Sequence, residues 1–437
     1  MNNKSSEKLF FKYVSQNILG MIGLSAYVLA DTFFISKAEG ANGITALNLV
    51  LPIYSIIFAI GQMIGIGYAT RFKIQRAKED KRAEYFFSNA IAFSIIFSSI
   101  FMFIGAVYAK ELLYLLGGRG YIARIGAEYT KIFMMFAPFF MLNYIFNAFV
   151  RNDGAPSVAM VSTLLSSLFN IIMDYILMFP LGLGMKGAAL ATALSPILGI
   201  LICCIHFLDK KNTLSIKLAR LDFKQLIKSC QLGFAAFIGE LSSGVTTMVF
   251  NYIILSITGN TGVAAFGIVA NVSIVAICIF NGISQGTQPL LSDYYGRGNT
   301  YDLRKVLRLS IITSLVFSVL IILFTNLFAG NIVDIFNSDN DALMYDYAVK
   351  GIKLYFIGFI FAGFNIIGTG YLSSTESAGW AFITSILRGF IAITFFAFLL
   401  SCFFDMTGVW LAFGACELFT SIFLIIAILK NKALQEN

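Results

Sequence analysis

The chain has 437 residues, 58% of them hydrophobic and 12% charged, with 31 Lys and Arg against 23 Asp and Glu. So little polar surface cannot cover a soluble globule of this length, which excludes a water-soluble enzyme and a free-standing nucleic-acid-binding domain even at a net charge of +8. The composition is that of an all-α polytopic membrane protein.

Apolar runs long enough to cross a hydrocarbon core of roughly 30 Å recur about twelve times. They predict helices over about 12–36, 45–70, 86–108, 129–150, 158–180 and 187–208, then 231–257, 263–292, 308–330, 350–373, 380–403 and 408–430. The first run is too long for the core of a cleavable signal peptide and reads as a first membrane helix. Basic residues gather in alternate loops: Lys4, Lys8 and Lys12; Arg71, Lys73, Arg76, Lys78, Lys81 and Arg82; Lys210, Lys211, Lys217, Arg220, Lys224 and Lys228; Arg297, Arg304, Lys305 and Arg308; Lys430 and Lys432. The positive-inside rule then puts both termini on the cytoplasmic side of the cell membrane. The loop holding Lys110, Arg119 and Arg124 fits that rule least well. The six cysteines lie in or beside the spans without C-x-x-C spacing, so neither a disulfide framework nor a metal site is indicated.

The runs fall into two sets of six. Gly43 to Gly67 lies on Gly262 to Gly286 at a constant offset, and Lys186-Gly187-Ala188-Ala189-Leu190-Ala191 resembles Thr407-Gly408-Val409-Trp410-Leu411-Ala412. The expected organisation is an amino-terminal lobe at 1–208, a charged cytoplasmic linker at 209–230 and a carboxy-terminal lobe at 231–437. An even number of spans per half gives both halves the same orientation.

The two halves differ in their buried chemistry. Asp31 falls on Phe250, Asn170 and Asp174 fall near Ile393 and Ala397, and Thr192 falls near Phe413. Asn170 and Asp174 stand one turn apart on one helix face. At about 1.5 Å per residue, Asp31, Asp174 and Asn170 lie roughly 28, 25 and 20 Å from the cytoplasmic ends of their spans, and Thr192 about 8 Å below the opposite surface. These four residues of three helices share one depth. A carboxylate at such depth must face a cavity or a partner. Two carboxylates, an amide oxygen and a hydroxyl suit a hard cation such as sodium, and the same acids could share protons. Glu240, Arg388 and Glu417 are the other deep charges, and Arg388 is expected to pair with Glu417 or Glu240. His206, near a helix end, reads as interfacial.

Several linked motifs carry a family resemblance: Ala30-Asp31-Thr32-Phe33-Phe34-Ile35, Gly65-Ile66-Gly67-Tyr68-Ala69-Thr70-Arg71-Phe72, Arg151-Asn152-Asp153-Gly154-Ala155-Pro156, and Asn170-x-x-x-Asp174 followed by Pro180-Leu181-Gly182-x-Gly184-Met185-x-Gly187-Ala188-Ala189. Across its whole length the chain resembles the MATE (multidrug and toxic compound extrusion) family, and within it the MepA-like and DinF-like members. The resemblance implies two six-helix lobes exporting amphipathic, often cationic compounds in exchange for sodium ions or protons. It implies a first-lobe cation site at Asp31, Asn170, Asp174 and Thr192, with Tyr129 expected beside it. Some members carry acids in the seventh and tenth spans; here Glu240 matches the first, and Asn365 takes the place of the second. Glu240, Asn365 and Arg388 are therefore candidate second-lobe contacts. The proline many members carry in the first helix is replaced by Ser15-Gln16, leaving Gly20 and Gly23 as sources of flexibility there.

No P-loop pattern occurs, so an ion gradient is the expected energy source. No resident cofactor, no enzymatic activity and no nucleic-acid partner are expected; the partners are small organic substrates and the bilayer, and the chain is expected to work as a monomer. A lipid-linked oligosaccharide flippase is the alternative, but it would line its cavity with several Arg or Lys, and Arg388 is nearly alone among mid-span cations. A membrane-embedded enzyme would need a catalytic cluster, and the chain has one histidine.

Overall fold

The computed structural model describes residues 3–217, 221–337, 341–431 and 433. Backbone groups in lipid have no water to bond to, so each apolar run closes its hydrogen bonds within itself as a helix. The spans are α1 (Ser6–Gly40), α2 (Asn42–Ala77), α3 (Lys81–Leu115), α4 (Gly120–Met135 with Ala137–Asn152), α5 (Pro156–Met178), α6 (Gly184–Leu208), α9 (Thr300–Leu327) and α10 (Ala342–Ser374). Two further helical stretches, Phe223–Gly296 and Ala378–Leu429, have 74 and 52 residues and are too long for one crossing. Each contains a residue outside helical geometry, Gly259 in the first and Asp405 in the second. They therefore divide into α7 (223–259) and α8 (260–296), and α11 (378–404) and α12 (406–429). Among the described residues this gives the twelve crossings expected from the sequence. The halves of α4 bend by 49° at Phe136, just before Pro138, whose missing N–H leaves a gap in the ladder.

The repeat is visible in the backbone. Gly40 (φ 59, ψ −145) and Gly259 (φ 67, ψ −154) break the chain in one conformation, 219 residues apart. Positive φ is open to glycine at no steric cost, which is why both tight reversals use it. Three residues on, Gly43 lies against Glu39 and Ile35, and Gly262 lies against Thr258 and Ile254, the same positions at the same offset.

Contacts group the chain into two compact units, one of Leu19–Glu240 and one of Met1–Ile18 with Leu241–Asn437. Each unit thus contains the opening stretch of the other half's first helix. In the Leu19–Glu240 unit, α2 packs on the start of α7 through glycines: a Cβ on Gly67 would enter the Ser229 carbonyl, and one on Gly233 would enter that of Met63. In the other unit, a Cβ on Gly286 would lie 2.9 Å from the Tyr13 carbonyl oxygen, and one on Gly282 2.7 Å from Ile18 Cα. Gly20 and Gly23 serve close packing too, lying against Thr163 and Leu164 of α5.

The charged stretch after α6 is held down rather than slack. Leu214 is buried, and Thr213 N donates to Asp153 Oδ2 at 2.9 Å. Asp153 also receives Arg76 and the Thr213 hydroxyl, and it pairs with His206 Nε2 at 2.8 Å. His206 is accordingly buried at the helix end. From Phe223 onward the stretch is already α7.

In the second unit, Arg388 Nε donates to Glu417 Oε1 at 2.6 Å, and Asn365 Nδ2 donates to Glu417 Oε2 at 2.7 Å. Ser421 Oγ donates to Asn365 Oδ1 at 3.0 Å, so the network ties α10, α11 and α12 together. Arg388 lies in a π-helical turn, Leu387–Ala392, inside α11.

Two effects on stability are expected from this packing. Gly67→Ala lowers the thermal unfolding midpoint in detergent although alanine is the better helix former, because an overpacked contact costs about 1–3 kcal/mol, while Gly244→Ala, whose added Cβ would meet nothing within 4 Å, does not. Glu417→Leu alone costs about 3 kcal/mol because it strands the Arg388 guanidinium, and the double change Arg388→Met with Glu417→Leu recovers most of the loss in the same assay.

Candidate functional site

The site lies within the Leu19–Glu240 unit, on helices α1, α2, α4, α5 and α6. Asp31 of α1 is 8% exposed, Asn170 and Asp174 of α5 are 1% and 0%, and Thr192 of α6 is 4%. The helical spacing that puts Asn170 and Asp174 on one face also turns that face toward α6. The Asn170 amide fits with its nitrogen toward Asp174: it then donates to Asp174 Oδ2 at 3.1 Å, and its oxygen accepts from Thr192 N at 3.2 Å. In the opposite orientation its nitrogen donates to Thr192 Oγ1 at 3.4 Å. Either way one amide joins α5 to α6.

The negative charge of Asp31 is felt at Asp174, so the two carboxylates are electrostatic neighbours across α1 and α5. Both are also felt at Tyr129 of α4. Tyr129 is wholly buried, as is Asp174. The four residues selected by depth thus stand together, and Tyr129 stands with them.

Tyr54 of α2 belongs to the group as well. Its hydroxyl hydrogen-bonds that of Tyr129, and its ring stacks on Phe133 with centroids 3.6 Å apart. Sequence reasoning missed it, because a tyrosine in an apolar stretch looks like any other core aromatic; only its register, facing α4, marks it. Phe58 and Phe140 extend the aromatic wall, with Phe133 and Phe140 centroids 4.4 Å apart.

What distinguishes the cluster is an incomplete set of bonds. Asp31 Oδ1 and Asp174 Oδ1 are buried and, among the described residues, neither has a hydrogen-bond donor. Two adjacent carboxylates in that setting repel each other and have lost their water. A small cation bound between them, or a proton on one, relieves both penalties. In the orientation that turns the Asn170 oxygen toward Asp174, the residues Asp31, Asn170, Asp174 and Thr192 present oxygens, with the Tyr129 hydroxyl as a fifth, a donor set that fits a hard monovalent cation.

The remaining candidates sit elsewhere. Glu240 accepts from Gln62 Nε2 at 2.9 Å, within the same unit, and Arg388 pairs with Glu417 rather than with Glu240. Asn365 is fully buried, with its amide nitrogen on Glu417 and its oxygen on Ser421. At the counterparts of the cluster the second unit is apolar: Phe250 stacks on Phe266 with centroids at 5.1 Å, and Phe413 stacks on Tyr355 at 4.3 Å.

The chain was compared with known proteins. The MatE family profile matches residues 17–176 and 235–399. The multidrug export protein MepA of Staphylococcus saprophyticus is 29% identical over 424 residues, covering 95% of this chain and 92% of that one. MepA of Staphylococcus aureus is 28% identical over 425 residues with the same coverage. Among solved structures, an outward-facing multidrug resistance MATE family transporter of the MOP superfamily superposes with a TM-score of 0.92 at 21% identity, over 99% of this chain and 97% of that one. A MOP superfamily transporter from Pyrococcus furiosus, described by a binding pocket of reversed polarity, superposes with a TM-score of 0.91 at 20% identity and the same coverage. With a two-part match that spans most of the sequence, the same twelve-helix fold and relatives aligned almost end to end, this chain belongs to the MatE family of membrane proteins.

Proposed function

We propose that this chain is a secondary multidrug exporter, driven by entry of sodium ions or protons at the Asp31–Asp174 pair. The observation that carries the coupling site is the pair of buried, adjacent carboxylates, each with an oxygen that no donor of the described residues reaches. The export reading is supported by relatives named for multidrug export that align over 95% of the chain.

The cycle is alternating access. In the outward-facing state sodium ions or protons enter and neutralise Asp31 and Asp174, which removes the repulsion between α1 and α5 and allows the helices around the site to repack. Repacking closes the substrate cavity and expels an amphipathic, often cationic organic compound. In the inward-facing state the cation leaves to the cytoplasm and substrate enters. The scheme requires the cation to bind the two states with different affinity, since equal binding shifts no population. The distribution of Lys and Arg supports cytoplasmic termini. The lone mid-span arginine, already engaged by Glu417, gives little support to a flippase for pyrophosphate-linked lipids.

Transport into sealed vesicles under separately imposed sodium and pH gradients identifies the driving ion, with ethidium as substrate. Asp31→Asn and Asp174→Asn each reduce gradient-driven ethidium transport at least tenfold in correctly inserted protein; undiminished transport in Asp31→Asn rejects the coupling site. Tyr129→Phe removes a hydroxyl hydrogen bond worth about 1 kcal/mol, so the half-saturating concentration of the driving ion rises about fivefold while the maximal rate changes less.

A further inference from the structure

The second unit has a feature that the coupling cycle does not use. At the corner where α7 breaks into α8 and α11 breaks into α12 there is a cavity of about 480 Å³, within the range of small-molecule sites. It is lined by Thr258, Tyr347, Lys350, Phe404, Asp405 and Trp410. Trp410 is fully buried, and its indole Nε1 has no acceptor among the described residues. A buried N–H left without a partner is rare and marks this corner as unusual.

The first half shows what this corner looks like when it is filled. The equivalent of Thr258, 219 residues earlier, is Glu39, whose carboxylate lies over Gly184 and accepts from the Tyr121 hydroxyl at 2.8 Å. Gly184 (φ 50) is in turn the counterpart of Asp405 (φ 49), at the offset that aligns Gly187 with Gly408. In the second half the long acid is replaced by Thr258, whose hydroxyl is turned back to the Ile254 carbonyl at 3.2 Å, so the corner stays open. The glycine is replaced by an aspartate held in a left-handed conformation that L residues resist. Non-glycine residues in such strained positions gather at ligand sites.

We propose that this corner is a binding site for a small aromatic zwitterion, an amino acid or short peptide with free ends. Lys350 and Asp405 are both exposed at the cavity and form no salt bridge among the described residues, so they offer two separate poles. The Lys350 ammonium receives the ligand carboxylate, and the Asp405 carboxylate receives its ammonium. The Tyr347 and Phe404 rings flank the apolar body, with Trp410 behind them.

The chain has two tryptophans, so Trp380→Phe leaves Trp410 as the only indole and makes the site its own reporter. The test titrates the full-length Trp380→Phe protein with phenylalanyl-phenylalanine and follows indole emission. A saturable change is expected, with at least tenfold weaker binding of the N-acetylated dipeptide, which lacks the cation, and of the dipeptide amide, which lacks the anion. Asp405→Gly, which suits the backbone and removes the carboxylate, and Lys350→Met each weaken binding of the free dipeptide at least tenfold. Thr258→Glu, which rebuilds the filled corner of the first half, abolishes it. Thermal unfolding midpoints within a few degrees of the parent establish that these variants fold. The Asp31→Asn variant binds the dipeptide unchanged, so this site is tested separately from the coupling site. No saturable response, equal affinity for all three dipeptide forms, or undiminished binding in Asp405→Gly overturns the proposal.

Discussion

Charge removed from water inside a membrane-spanning bundle must be matched, and the two units meet that requirement in opposite ways. Glu417 is satisfied internally: the Arg388 guanidinium takes one carboxylate oxygen and the Asn365 amide the other. Such a closed network holds three helices in fixed relation and leaves nothing for a mobile ion to do. Asp31 and Asp174 each keep a buried oxygen with no donor among the described residues.

The duplication makes this contrast sharper. The backbone is repeated down to the dihedral angles of the breaks at Gly40 and Gly259. The side chains at corresponding depths have diverged: an acid, an amide and a hydroxyl in one half, and Phe250, Ile393 and Phe413 in the other. A scaffold can be copied while its polar content is rewritten, because helix packing depends on small residues at close approaches and those have been kept, as at Gly67 and Gly286.

Much of the fold is legible in the order of the amino acids alone. Hydropathy and the alternation of basic loops depend only on the solvent, so the number of spans follows from composition and length. The members of the acidic cluster are legible too, since Asp174 with Asn170 one turn away is a rare pair in an apolar helix. Partners across helices are harder to read. Depth alone allows Arg388 to meet either Glu240 or Glu417, and Gln62, a neutral residue with no periodic signal, is what holds Glu240. Tyr54 is hidden among aromatics because its role depends on which ring it faces. The partner of His206 is not legible in sequence either, because Asp153 lies 53 residues away, between α4 and α5.

The division of the chain into units also bears on how it is made. Residues up to Glu240 are needed to complete the unit that starts at Leu19, so a ribosome that has delivered six helices has finished neither unit. The first eighteen residues wait longer still, until α8 arrives with Gly282 and Gly286 to receive them. Cutting the gene at its midpoint would leave each fragment without one wall.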